Sequence, residues 1–464
     1  MSTDSPLALS ATERRAVFPL ASIVILRMLG LFLILPVFAL YAQQLQGATP
    51  GTVGLAMGIY GLTQALLQIP AGILSDRIGR KPVIAMGLLV FALGSVIAAM
   101  ATSIEGVILG RALQGAGAIS AAVLALVADL TREEHRTLAM AILGLSIGLS
   151  FSVALVLGPM LNGWIGVPGI FWLTAGLALL GMVLLFSRVP SPPPAHHHRD
   201  TEATPGQFAA VIRDPALWRL NVSIFLLHLS VTALFMVFPL LLRDMGLPSE
   251  AHWQIYLPVL LLSVAAMAPF ILVAEKYRRI KEVFLAATAL LGIAQITLFL
   301  SQGDWVMLVA GLWLYFLGFN ILEASLPSLV SKFVDPEAKG TAMGFYSTAQ
   351  FLGAFAGGLT GGLLQSHFGH ASPFLAGALM TIVWGWVIWG LPAPRYLTNH
   401  LLRVGPLDPA GATLLTQHLL ALPGVIQAHV VTEDEVAYLK LESKTVDWDA
   451  LAAFSVAESA PEVT

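Results

Sequence analysis

The chain has 464 residues, 57% hydrophobic and only 11% charged, with a net charge of −3 and no cysteine. A soluble domain of this size needs far more charge to cover its surface, and the missing cysteine excludes disulfides, thiolate metal sites and cysteine catalysis. The net charge decides nothing, because its placement matters more than its sum.

The N-terminal segment MSTDSPLALSATERR lacks the basic stretch, short apolar core and small-residue cleavage site of a secretory signal, so the first apolar run is a retained span. Crossing the hydrocarbon core takes about 20 mostly apolar residues. Such runs occur at 18–42, 52–74, 82–101, 104–128, 139–160 and 168–186, then at 217–242, 252–274, 283–300, 305–330, 341–364 and 372–391. We number these spans 1–12. They predict an N-terminal six-helix half at 1–186, a Pro-rich polar linker at 187–216, a second half at 217–394 and a small soluble domain at 395–464.

Basic residues cluster on one side of this arrangement. Arg14 and Arg15 precede span 1, Arg77, Arg80 and Lys81 lie between spans 2 and 3, and Arg132 and Arg136 lie between spans 4 and 5. Arg188, Arg199 and Arg213 fall in the linker, Lys276, Arg278, Arg279 and Lys281 between spans 8 and 9, and Lys332 and Lys339 between spans 10 and 11. Only Arg243 falls on the other side. The positive-inside rule then places both termini and the linker in the cytoplasm of a bacterial inner membrane protein.

The halves repeat. Leu126-Val127 through Arg136 and Ala139-Met140 correspond to Leu329-Val330 through Lys339 and Ala342-Met343 at an offset of 203, while Asp76 and Arg80 correspond to Glu275 and Arg279 at 199. Parallel halves imply a substrate site between them near the membrane midplane.

The strongest local pattern is Gly72-Ile73-Leu74-Ser75-Asp76-Arg77-Ile78-Gly79-Arg80-Lys81. Gly72 permits close helix approach, Gly79 a tight turn, and Asp76 is placed to meet the positive N-terminus of another helix. A merely basic loop has no need of both glycines and the acid. This stretch resembles motif A of the major facilitator superfamily. Leu109-Gly110-Arg111-Ala112-Leu113-Gln114-Gly115-Ala116-Gly117 resembles motif B, and Gly158-Pro159-Met160-Leu161-Asn162-Gly163 resembles motif C of the antiporter branch, with Asn162 where glycine is usual. The resemblance covers the whole membrane part and implies a twelve-helix fold with alternating access. The motif A loop is expected to latch the cytoplasmic side when the transporter faces outward, with Arg80 pairing with Asp129 and Asp76 meeting the start of span 11 near Gly340 and Thr341, where free backbone N–H groups concentrate positive potential.

Four titratable groups lie deep in spans: Arg27, Arg111, His228 and Glu323. A cation in hydrocarbon is expensive and faces a cavity or a partner. The motif B resemblance implies proton coupling for Arg111, whereas Arg27 reads equally as structural or functional. A carboxyl there has a raised pKa through desolvation, which suits Glu323 to loading and releasing protons, with Arg111 tuning it. His228 reads more as packing. The aromatics Trp313, Tyr315, Phe316 and Phe319 line a cavity or face lipid. Gly353, Gly357, Gly358, Gly361 and Gly362 make span 11 a close-packing face. His196-His197-His198 reads as linker rather than a metal site.

Beyond the spans, residues 399–454 predict a βαββα order: a strand at Leu401–Val404, a helix at 410–422, a hairpin of Val425–Val431 and Val436–Leu441 across Thr432–Glu435, and a helix at 447–454. This resembles a ferredoxin-like domain of the heavy-metal-associated type with its last strand missing or very short. The metal-binding cysteine pair has no counterpart at Pro406–Ala410, which excludes a thiolate metal role. An open sheet edge invites pairing, so docking on the transporter or self-association is expected, with a regulatory role.

No phosphate-binding loop, nucleophile constellation or metalloprotease motif is present, so an enzyme is not expected. Proton-coupled efflux of a small amphipathic molecule is the leading expectation. It comes with the proton as coupling ion, no other cofactor or metal, no nucleic-acid partner and a monomeric body among membrane lipid. A uniporter, or a membrane sensor signalling through the C-terminal domain, is the alternative.

Overall fold

The computed structural model describes residues 9–191, 211–301, 303–334, 338–392, 397–432, 435–442 and 445–455. The chain divides into two compact units, Met1–Leu391 and Pro392–Thr464.

In the first unit the apolar runs are helices, started by polar caps. Ser10, Thr49, Ser103, Asp214 and Asp304 each accept a bond from a backbone N–H in the first helical turn, which satisfies donors that have no partner within the helix. Span 1 is two helices, Ala11–Phe32 and Leu35–Ala42, broken just before Pro36. Spans 2 and 3 are Pro50–Ile78 and Arg80–Met100, divided at Gly79, whose φ of 99° is readily reached only by glycine. Span 4 is also broken, into Ile104–Ala116 and Ser120–Asp129. Spans 5 and 6 are two helices within Glu133–Ser187 that meet at Gly166, whose non-helical φ of 66° and ψ of 173° turn the chain inside the connection the sequence suggested.

The second half contributes Pro215–Asp244, Trp253–Lys276, Ile280–Leu300, Trp305–Phe333, Lys339–Phe368 and Ser372–Trp389. Among the described residues, 10 helical stretches are long and apolar enough to cross a membrane, and the one at Leu138–Ser187 is 50 residues, enough for two. Span 11 is not among the ten, because glycine, serine, threonine and glutamine dilute its apolar character.

The halves repeat in their polar fastenings as well. Lys81 Nζ, at the start of span 3, donates to the Val189 carbonyl at 2.6 Å, past the end of span 6. Lys281 Nζ, at the start of span 9, donates to the carbonyls of Trp389 and Leu391 at 2.7 and 2.8 Å, at the end of span 12. Each lysine satisfies carbonyls that a helix C-terminus leaves free and complements the negative end of its dipole.

The second unit is a three-stranded antiparallel sheet among the described residues, in the order β1-β3-β2. β1 is Leu397–Arg403, β2 Val425–Val431 and β3 Val436–Glu442, with helices at Pro409–Leu420 and Trp448–Ala452. β1 begins four residues earlier than the sequence suggested, since Leu397 pairs with Glu442. Leu402, Leu419, Ala437, Leu439, Leu441 and Leu451 form its core.

Candidate transport site

At the end bearing the basic loops, here the basic end, Arg80 joins two acids. Its Nε donates to Asp129 Oδ2 at 3.1 Å, and its Nη1 donates to Ser75 Oγ at 2.8 Å and to Asp76. The expected Arg80–Asp129 pair is therefore present. Asp76 does not reach span 11: its side chain is 58% exposed and paired with Arg80. Arg77 is exposed, and Gly72 lies against Ala121 of span 4. The second half has the same fastening with altered signs, because Lys332 Nζ donates to both Glu275 oxygens at 2.8 and 2.9 Å. Lys332 aligns with Asp129 at the offset of 203.

The opposite end is closed. Gly54, Gly58 and Gly61 of span 2 lie against the backbone of Gly358, Phe355 and Phe351 of span 11, and Gly362 lies against Pro50. Arg243 Nη1 donates to Gln43 Oε1 at 3.0 Å, and Asn162 Nδ2 donates to Ser249 Oγ at 3.0 Å, both between halves. Asn162, the departure from motif C, thus fastens this end, and Gly158 of the same motif packs on the Leu33 carbonyl at the break in span 1. Pro159 follows within the helix. At the basic end, among the described residues, Gly144 and Gly148 of span 5 and Gly340 and Gly344 of span 11 have nothing outside their own helix within 4 Å of where a Cβ would stand, and the side-chain bonds between the halves named above lie at the opposite end, so the halves are less closely fastened here.

Between the two ends, Arg27 is 1% exposed. Its Nη2 donates to Gln64 Oε1 at 2.7 Å, Tyr60 OH at 3.1 Å and the Gly117 carbonyl at 3.1 Å, while Nη1 reaches Ser120 Oγ at 3.4 Å. Gly117 and Ser120 flank the break in span 4, so Arg27 satisfies backbone that the break exposes in the membrane interior. Arg111, 5% exposed, donates to Gln114 Oε1 at 2.9 Å and to the Met57 carbonyl at 3.4 Å, and lies 5.1 Å from the Tyr60 ring centre. Glu323 is not among its partners, so the expected direct tuning of Glu323 by Arg111 is not seen here.

In the second half, Glu323 Oε2 is buried with no hydrogen-bond partner among the described residues. Phe316, Phe319, Asn320 and Glu323 recur at helical spacing and share one face of span 10. Asn320 donates to Ser263 Oγ of span 8 at 3.0 Å. The Phe316 and Phe319 rings lie 6.4 and 5.7 Å from Phe151 of span 5, which meets Phe32 of span 1 at 5.2 Å. Tyr315, Phe316 and Phe319 are buried and Trp313 partly so, which places this aromatic face inside the protein rather than on lipid. His228 Nδ1 donates to the Ile224 carbonyl at 3.3 Å, leaving Nε2 to accept from Gln350 Nε2 of span 11 at 2.8 Å. That geometry fits a neutral, packed imidazole.

One cluster escaped the sequence reading. Glu13, 4% exposed, accepts from Ser10 N, from Arg132 N and Nε, and is bonded to His135 Nδ1 at 2.9 Å. Its signal was legible, since Ser10-Ala11-Thr12-Glu13 is the spacing of a capping box. The triplet His196-His197-His198 lies outside the described residues.

Two similar helical halves, fastened at one end and less so at the other, around buried arginines and a carboxyl, fit a membrane transporter. The chain belongs to the Major Facilitator Superfamily, which it matches over residues 20–274 and 248–426, and it is a membrane transporter. It is 44% identical over 435 residues to the inner membrane transport protein YajR of Escherichia coli strain K12, covering 94% of this chain and 96% of that one. The multidrug resistance protein MdtH of Aeromonas salmonicida is 28% identical over 354 residues, 74% of this chain and 86% of that one. A bacterial homologue of the lysosomal transporter Spinster, solved inward-facing and occupied, superposes with a TM-score of 0.68 at 14% identity, covering 80% of this chain and 95% of that one. The apolar spans and the YajR relationship place the chain in a bacterial inner membrane with multiple crossings.

Proposed function

We propose that the chain is a proton-coupled secondary transporter that exports a small amphipathic molecule by alternating access, with both termini in the cytoplasm. The observation that carries this reading is Glu323, a carboxyl with Oε2 buried and unpartnered one helical turn from the aromatic contact between the halves. A buried carboxyl of this kind is placed to take up a proton on one side, and a change in its surroundings when the halves rock would release it on the other. The printed name of the MdtH relative supports efflux as the direction. With the basic loops in the cytoplasm, the less closely fastened end faces inward. The motif A residues Asp76, Arg77, Arg80 and Lys81 then form the cytoplasmic gate, and Asp76 meets span 11 only after that side closes. The C-terminal domain regulates transport from the cytoplasm. The test is Glu323→Gln in proteoliposomes. Uphill transport driven by a pH gradient should be lost while downhill exchange persists, and uphill transport at the parent rate would defeat the assignment.

A further inference from the structure

We propose that the centre of the N-terminal half is an anion site, so that the cargo is a planar organic anion: a carboxylate, sulfonate or phenolate carried on an aromatic body. This rests on the reading of the central cavity as the transport site. Within spans 1–6 the charged residues are Arg27, Arg111 and Glu105, and Glu105 sits in the first turn of span 4 against Gly47 and is not among the acceptors of either arginine. Both arginines are almost fully buried. Every side-chain or backbone acceptor they contact is neutral: an amide, two hydroxyls and a carbonyl for Arg27, an amide and a carbonyl for Arg111. Neutral acceptors satisfy N–H groups without cancelling charge, and each arginine keeps a buried Nε that has no hydrogen-bond partner among the described residues. A buried cation lacking a counter-charge is costly, and an anionic ligand supplies one.

The two guanidinium groups converge on a single side chain. Tyr60 accepts from Arg27 through its hydroxyl and presents its ring to Arg111, while the ring's other contact is Phe351 of span 11 at 6.2 Å. A ligand between the halves thus meets positive charge on one side. It also meets aromatic surface, from Phe319 and Phe351 of the second half and from Phe32 and Phe151 of the first. Planar forked guanidinium groups suit carboxylate or sulfonate oxygens, and aromatic faces suit a flat apolar body.

The test uses the purified full-length protein in detergent, at fixed pH and without a gradient, and compares three naphthalenes of matched shape. These are 2-naphthalenesulfonate, 2-naphthalenesulfonamide and trimethyl(2-naphthyl)ammonium. The sulfonate should raise the melting temperature in a concentration-dependent way, the sulfonamide less, and the ammonium not at all. Arg111→Gln should weaken sulfonate binding by about tenfold or more, as expected for loss of a charged hydrogen bond. Arg111→Lys, which keeps the charge and loses the fork, should recover part of it. Tyr60→Phe keeps the ring and serves if the arginine variants fold poorly; it should weaken sulfonate binding while leaving sulfonamide binding alone. Equal or tighter binding of the ammonium overturns the proposal, as does sulfonate binding indifferent to Arg111→Gln and Tyr60→Phe. Since no gradient is present, either failure leaves the Glu323 coupling test standing, and the reverse also holds.

Discussion

Substituting Gly58 by alanine should shift the transporter away from the state closed at the end opposite its basic loops. A Cβ at Gly58 would stand 2.6 Å from the Phe355 carbonyl oxygen, where ordinary contact begins at 3.4 Å. The obstacle is backbone, so spans 2 and 11 must separate by about 0.8 Å rather than rotate a side chain aside. Overpacking of this kind costs about 1–3 kcal/mol, and only the closed state bears that cost. The population open at that end should therefore rise by roughly 5- to 150-fold. The chain has no cysteine, so a single thiol reports without background. Ala39, 1% exposed on the outer helix of span 1, takes a cysteine with little change in volume. The labelling rate of Ala39→Cys by a maleimide should rise by that factor when Gly58→Ala is added. Equal labelling in the two backgrounds would refute the idea that the glycine interlock sets the balance between states.

Three further outcomes follow from the polar fastenings and from the domain division. Glu13→Gln removes the charge that serves Arg132 and His135 and turns an amide N–H toward donors. Unfolding in a denaturing detergent should show a loss of roughly 1.5–3 kcal/mol, the scale of a hydrogen bond to a charged group. Lys281→Met frees the carbonyls of Trp389 and Leu391 and should cost about 1–3 kcal/mol in the same assay, with Lys281→Arg largely restoring it. Ending the chain after Arg395 should leave an inserted, transporting protein with an altered rate or pH response; failure to insert, or complete loss of transport, would show the C-terminal domain to be integral to the fold.

The spans were legible because about 20 apolar residues in a row have few other uses, and the repeat was legible because charged residues recur at its loops. The small and polar residues around Gly166 marked the connection between spans 5 and 6, but not that a single positive-φ glycine would suffice to turn the chain there. Arg27 was recognised as a deep cation, but its purpose depends on a break in span 4 that composition does not reveal. The same limit applies to Asn162. Its departure from motif C could be seen, but its partner Ser249 is 87 residues away and only folding brings them together. Glu323 was singled out by depth alone, and its unpartnered oxygen adds a geometric reason. The pairing of Arg80 with Asp129 was anticipated because both belong to one half. The contact of Asp76 with span 11 depends on how the halves are tilted, which no residue pattern specifies.

At Gly54, Gly58, Gly61 and Gly362 the interlock of spans 2 and 11 sets main chain against main chain, and at those points no side chain expresses a chemical preference. A valve seated in this way shuts equally well whatever has just passed through it. Discrimination among solutes must then reside deeper in the protein, where side chains face the cavity, and can change there without loss of leak-tightness. Variants with new cargo should therefore be found by altering residues around Tyr60 and Phe319 while the glycines are left untouched. A chain of this construction can drift in what it carries and still hold the membrane's gradients.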